Sequence, residues 1–291
     1  MIMKEILKKF LDIIFPPGII CIYCGNEIRR PNLYHACDKC LQNLPYLNGK
    51  TCSICGAKLH SLSDICFVCH STFPPFEKAR ATFVYEAPIV SLVHKMKFGN
   101  AKYLFEPLGN FMTKTYKENG FACDVIVPVP LSKERLKERG YNQAAELAKV
   151  VGKNLNLPVV ENVIEKVKHT PKQSSLSFHE RMKNVKNAYR LRQKTPLTGK
   201  NVLVVDDVMT TSETMRSICK ELWRARPQNI FVLTLAHTDI HNKPKSTMVY
   251  KIKKLALSKL NREIAFAKNR FKIRKKIKEY EKVKKDEEKK G

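Results

Sequence analysis

The chain has 291 residues, 43% of them hydrophobic, and carries 54 Lys and Arg against 27 Asp and Glu for a formal net charge of +27. That length supports one substantial core with smaller units appended, because domains run to about 100–200 residues. Its apolar runs fall far short of the roughly 18 to 20 residues a bilayer crossing needs, which excludes a transmembrane segment, and its charge points to polyanionic partners, nucleic acid before anionic lipid.

Residues 1–15, MIMKEILKKFLDIIF, alternate apolar and charged positions and are followed by Pro16 and Pro17. The pattern predicts a short amphipathic helix stopped by the prolines. Lys8, Lys9 and Asp12 interrupt the apolar run and no small-residue cleavage site follows, so the segment is not read as a signal peptide.

Residues 16–75 form the next expected unit. Eight of the ten cysteines fall into four Cys-x2-Cys pairs, Cys21/Cys24, Cys37/Cys40, Cys52/Cys55 and Cys66/Cys69, separated by 12, 11 and 10 residues. Such a pair points two sulfurs inward from one tight turn, and two pairs complete a tetrahedral thiolate site for zinc. Pairs of this kind bind metal in a reducing compartment, so a cytoplasmic location is expected. Gly25 and Gly56 each follow a second cysteine, where the turn needs a residue tolerant of positive φ. The repeated Cys-x2-Cys-Gly favours two consecutive zinc ribbons over an interleaved arrangement. Both sites read as structural, because four thiolates leave no open position for water or substrate. His35, His60 and His70 are surplus to two complete sets, and Cys123 and Cys219 read as buried core thiols. Phe67, Phe73 and Phe76 suit either core packing, the expected role, or stacking on nucleic-acid bases.

From residue 76 to 237 short β-branched runs alternate with helical stretches. Strands are predicted at 81–86, 124–130, 201–207 and 229–237, and helices at 106–119, 143–156 and 214–225. The alternation implies an α/β fold with a mainly parallel sheet covered by helices on both faces. Ligands in such sheets sit beyond the carboxyl ends of the strands, and four polar strings fall there.

The most specific is VLVVDDVMTTSETM, residues 202–215. A buried strand runs into Asp206 and Asp207, then into a hydroxyl-rich turn opening a helix, whose free N–H groups and dipole make an anion site. Thr210, Thr211, Ser212, Glu213 and Thr214 form the candidate phosphate loop, with hydroxyls suited to a phosphate monoester. The carboxylates are placed to accept hydrogen bonds from ribose hydroxyls, directly or through a divalent metal. The string resembles the phosphoribosyl pyrophosphate (PRPP) motif of the type I phosphoribosyltransferases. It departs at Ser212, where that family usually has Gly; if positive φ is needed there, Ser is strained by roughly 1 kcal/mol.

A second string, residues 127–148, ends a strand in two prolines and continues through a basic turn with Lys133, Arg135, Arg139 and Gly140, the glycine allowing close backbone approach to a ligand. The third, residues 168–191, is a polar loop, and the fourth, residues 94–104, a basic turn around Gly99. The strings read Lys97-Phe98-Gly99, Val127-Pro128-Val129-Pro130, Arg139-Gly140-Tyr141-Asn142-Gln143 and Lys168-His169-Thr170-Pro171-Lys172-Gln173. In that order, behind a cysteine-rich ribbon, they resemble the ComF family (ComF/GntX) over about residues 15 to 237.

The resemblance implies a type I phosphoribosyltransferase fold that binds PRPP with Mg²⁺. It gives the 5-phosphate to the 210–214 loop, the ribose hydroxyls to Asp206 and Asp207, and pyrophosphate with Mg²⁺ to Arg135, Arg139 and the backbone near Gly140. It also implies a part in natural competence and single-stranded DNA handling, alongside other competence or recombination proteins, with the domain acting as a ligand sensor or scaffold. The alternative is an active phosphoribosyltransferase of nucleotide or base metabolism with no DNA role. No base-specificity element, acid or base stands out in the sequence. The loop from Lys168 to Arg181 reads as a candidate lid or, equally, as a solvated basic loop.

Residues 238–291 lie beyond the resemblance. No Pro or Gly occurs from Lys245 to Lys290, and Leu257, Leu260, Ile264, Ala267 and Phe271 recur at helical spacing. Residues 243–291 hold 19 Lys or Arg against 6 Asp or Glu, so 19 − 6 = +13 sits in that stretch. A basic amphipathic helix of this kind can lie on nucleic acid, an anionic membrane or a partner groove, or pack one stripe on the domain.

Overall fold

The computed structural model describes residues 19–59, 62–167, 188–210 and 212–238. The expected N-terminal helix, His60, the loop 168–187, Thr211 and the basic tail lie outside the described residues. By its internal contacts the chain divides into two units, Met1–Asp64 with Pro75–Ile240, and Ile65–Pro74 with His241–Gly291.

The described part of the first unit starts with a cysteine hairpin closed by an antiparallel bridge between Ile20 and Glu27, followed by the short helix α1 (Asp38–Asn43). A second hairpin repeats the design with a bridge between Thr51 and Lys58. Gly25 and Gly56 have φ of 77° and 73°, as the turn chemistry requires. Gly56 is also pinned by space, since a Cβ there would stand 2.7 Å from the Ala79 carbonyl oxygen. The described part of the second unit is residues 65–74, with helix α2 (Phe67–Thr72) ending in a left-handed Phe73. Phe67 and Phe73 are exposed and only Phe76 is buried, so the expected core role holds for Phe76 alone.

The rest of the first unit is the α/β layer. In chain order it comprises β1 (Lys78–Val84), α3 (Ile89–Phe98), α4 (Phe105–Glu118), β2 (Val125–Pro128), α5 (Lys133–Arg139) and α6 (Gln143–Leu155). There follow β3 (Ile164–Lys166), β4 (Tyr189–Leu191), β5 (Asn201–Met209), α7 (Glu213–Leu222) and β6 (Asn229–His237). Among the described residues β1-β6-β5-β2 form one four-stranded sheet, parallel throughout. β3 and β4 make a separate antiparallel pair.

Leu203, Val205, Leu233 and Leu235 pack with Leu92, Leu108, Phe111 and Leu147 in one core cluster. Their alternates Val202, Val204, Val232 and Ile230 are also fully buried, so the sheet is covered on both faces. That double burial is why the strands read as unbroken apolar runs. Met215, Ile218, Cys219 and Leu222 give α7 its own buried stripe at helical spacing. Cys123 and Cys219 are both buried, as expected of core thiols.

Every strand and helix predicted in this region forms, with ends shifted by a few residues. Two segments read as basic turns are helical instead. The Ser132 hydroxyl accepts from the Arg135 N–H and caps α5, and Gly140, with φ of 75°, ends it. Residues 94–98 are the last turns of α3.

Candidate functional site

The carboxyl ends of the parallel strands open on a cleft of about 230 Å³, lined among others by Lys97, Arg135, Arg139, Gln143, Lys166, Tyr189, Asp206, Asp207, Thr210, Ser212 and Thr214. Lys133, Gly140 and Glu213 are not among its lining residues. Glu213 stands 3.9 Å from the Arg216 guanidinium Nε instead. A Cβ at Gly140 would meet nothing within 4 Å, so this glycine is required by its positive φ at the end of α5 and not by close approach.

The floor is the end of β5. Asp207 is 7% exposed, and its Oδ1 accepts a hydrogen bond from the Lys97 ammonium at 2.8 Å. Asp206 is partly buried, and its Oδ1 accepts from the Asp207 N–H at 2.8 Å. Burial and the neighbouring Asp207 charge raise the Asp206 carboxyl above the ordinary carboxylate range, against the pull of Lys97. Burial would lower the Lys97 ammonium, but the Asp207 charge and hydrogen bond outweigh it and raise it.

Beyond the carboxylates, α7 opens at Ser212, which has φ of 59° and ψ of 0°. The positive φ that the Gly-to-Ser departure brought into question is therefore present, and the Ser side chain makes no capping hydrogen bond to the helix. A left-handed conformation costs a non-glycine residue about 1–2 kcal/mol. Ser212→Gly should therefore raise the thermal midpoint by about 2–4 °C, given that about 1 kcal/mol is gained in a protein of this size. An unchanged or lower midpoint would show that Ser212 holds its conformation without strain.

The third side is the Arg139-Gly140-Tyr141-Asn142-Gln143 string. Tyr141 is buried and its hydroxyl donates to the Met96 carbonyl, which fixes the turn to the end of α3. The Asn142 side chain accepts from the Ala144 N–H at 3.1 Å and donates to the Val129 carbonyl at 2.9 Å, capping α6 and tying it to the end of β2. The Arg139 guanidinium lies 5.0 Å from the Phe98 ring centroid and donates to Gln143 Oε1 at 2.9 Å. Burial lowers its pKa, partly countered by the Asp207 charge. Gln143 is 1% exposed, yet among the described residues its Nε2 has no hydrogen-bond partner, and neither has the buried Arg139 Nε. Both residues line the cleft, and their buried donors leave this wall able to serve an anionic ligand.

The fourth side is the β3–β4 pair, which the sequence reading did not anticipate. Lys166 Nζ lies 5.8 Å from the Tyr189 ring centroid. Burial and then the nearby Arg135 charge lower the Lys166 ammonium to about 8, against Asp206. Burial raises the Tyr189 phenol.

Lys97, Gln143, Lys166 and Tyr189 were absent from the candidate site drawn from sequence. Lys97 and Gln143 stood inside quoted strings and could have been found there. Lys166 and Tyr189 carry no motif, and only the short antiparallel pair brings them to the cleft. The Lys168–Arg181 candidate lid and Thr211 fall outside the described residues.

The cysteines form two groups of four. The ligand atoms of Cys21, Cys24, Cys37 and Cys40, and those of Cys52, Cys55, Cys66 and Cys69, lie within 4.8 Å of one another in each set. This is the consecutive arrangement, and the all-thiolate donor sets fit structural zinc.

Residues 10–76 match the double zinc ribbon domain family, and residues 115–267 match the phosphoribosyl transferase domain family. Competence protein F of Haemophilus influenzae is 32% identical over 224 residues, which cover 74% of this chain and 96% of that protein. The DNA utilization protein YhgH of Escherichia coli K12 is 28% identical over 192 residues, 64% of this chain and 84% of that protein. Competence protein ComFC of Bacillus subtilis is 26% identical over 216 residues, 68% of this chain and 85% of that protein. With a ribbon and a transferase domain in the same order as the motif strings, and likeness to competence protein F along nearly that protein's whole length, the chain belongs to the ComF family.

Proposed function

We propose that the cleft binds PRPP together with Mg²⁺, and that the protein uses this site in cytoplasmic handling of single-stranded DNA during natural competence. The observation that carries the ligand reading is the pair of buried donors on Gln143 and Arg139, which have no acceptor among the described residues, in a cleft also lined by Arg135. Such donors are costly to leave unsatisfied, and a pyrophosphate group supplies the acceptors they lack. The DNA reading rests on the named roles of the relatives and on the chain's charge.

Each end of such a ligand has residues of matching chemistry. The N-terminus of α7 with Thr210, Ser212 and Thr214 suits the 5-phosphate, Asp206 and Asp207 suit the ribose hydroxyls, and Arg135, Arg139 and Gln143 suit the pyrophosphate. Arg135 and Arg139 would meet Mg²⁺ together with the pyrophosphate, where the ion would supply positive charge to offset that of the phosphates. The carboxylates hold the sugar, and the guanidinium groups hold and orient the pyrophosphate. A second reading, turnover, is favoured by Lys166 and Tyr189, which add a cation and a ring to the cleft where an acceptor could be held.

Calorimetry with PRPP and Mg²⁺ tests the site. Asp207→Asn and Gln143→Leu should each weaken binding by about tenfold or more, the effect of removing one charge-assisted or otherwise orphaned hydrogen bond. Unaltered affinity in both variants would place the phosphates elsewhere. Pyrophosphate release over a panel of bases and amines separates turnover from sensing, and a blank panel favours the sensor.

A further inference from the structure

Lys97 lies 110 residues before Asp207 and on a different element, yet its ammonium makes a 2.8 Å contact with the Asp207 carboxylate. The pair is well shielded, with side-chain exposures of 24% and 10%. The last turn of α3 that carries Lys97 is fixed at both neighbouring residues. The Met96 carbonyl accepts from the buried Tyr141 hydroxyl, and the Phe98 ring lies under the Arg139 guanidinium at 5.0 Å. Lys97 is thus held against Asp207 by the same turn that positions the pyrophosphate wall, and is no solvated surface lysine.

Two carboxylates side by side at a strand end are a ready binding place for a hard divalent cation. Here one of them already has a full positive charge in contact. A divalent ion on that carboxylate would sit within a few ångströms of the ammonium, and in a shielded cleft the repulsion is several times what it is in water. We propose that Lys97 keeps the Asp206–Asp207 pair from holding a divalent cation on its own, so that the cation enters only with the pyrophosphorylated sugar. The second half of that statement rests on the PRPP reading above; the first half does not. Lys97 is on this view a positioning residue. It holds Asp207 ready for the ribose diol and leaves the phosphates to bring the metal.

The test is direct Mn²⁺ binding, followed by electron paramagnetic resonance of the free ion, on protein carrying its full zinc. Wild type without PRPP should show no site at the acidic pair tighter than the millimolar range. Lys97→Met should bind Mn²⁺ at least about tenfold tighter, one unit of repulsive charge having been removed. Lys97→Arg should behave as wild type, and Asp207→Asn added to Lys97→Met should abolish the gain, which locates it. Equal Mn²⁺ binding in wild type and Lys97→Met, or tight binding in wild type alone, overturns the proposal. Zinc content and thermal midpoint confirm folding, and Lys97→Gln repeats the test if the Met variant fails to fold. If PRPP does not bind wild type with Mg²⁺ present, the PRPP reading fails while the Mn²⁺ comparison still decides the role of Lys97.

Discussion

Serine in place of Cys21 should leave the protein with one zinc per chain where the wild type holds two, and Cys52→Ser should do the same through the other group. Metal analysis of protein purified without chelator reads the result. The effect is large because the first ribbon has little else to fold on: its own buried cluster is Cys21, Ile28 and Ala36, with Tyr23, Tyr34 and Leu41 packed against it. Burial of one large apolar side chain contributes about 1.5–3 kcal/mol, whereas fixing each backbone residue costs about 1–2 kcal/mol. A structural zinc contributes on the order of 10 kcal/mol. The loss should reach the α/β layer as well, since Tyr34 stacks on Phe111 at 4.1 Å and Asn110 donates to the Leu33 carbonyl at 2.7 Å. Hydrogen exchange in Cys21→Ser should therefore rise across residues 19–44 and around Phe111 in α4. One zinc or none in the wild type would refute the double ribbon, and unchanged protection of residues 19–44 would show that the metal is not what holds them.

Elements that bury whole strands were the ones legible in the sequence. β5 and β6 announce themselves because both faces are covered and the apolar run is unbroken. α4 and α6 do so because one stripe is apolar over three or more turns. α5 was read as a turn because its seven residues, KERLKER, bury nothing and owe their helix to the Ser132 cap and the Gly140 stop. β3 and β4 have three residues each and stand far apart in the sequence, too short for any alternation to register. The same distinction runs through the cleft. Asp206 and Asp207 stand near the end of a strand that runs into a helix, so local order names them, but Lys97 reaches Asp207 from an element 110 residues away. The orphaned Nε2 of Gln143 is a fact of three-dimensional packing. Sequence order alone shows neither.

Removal of residues 240–291 should flatten the salt dependence of single-stranded DNA binding while leaving zinc content and PRPP affinity unchanged. All of the +13 counted in residues 243–291 goes with that deletion, and the formal net charge of +27 falls by about half. Each phosphate neutralised on a single strand adds about −0.7 to the slope of log affinity against log salt, so a tail that meets about six phosphates supplies about four units of slope. Over a fourfold change in salt, four units of slope amount to about 250-fold in affinity, well outside the error of a fluorescence titration. A transferase whose Lys-rich tail is incidental would bind DNA weakly and show no change on truncation. If the truncated protein keeps both the full affinity and the full slope, the tail has no part in binding. The cations that remain, Arg135 and Arg139 in the cleft and the basic residues of the ribbons, then have to carry it, and PRPP should compete with DNA for the cleft. Retained affinity together with no competition would confine the DNA to the ribbons, where Phe67 and Phe73 offer exposed rings to stack on bases.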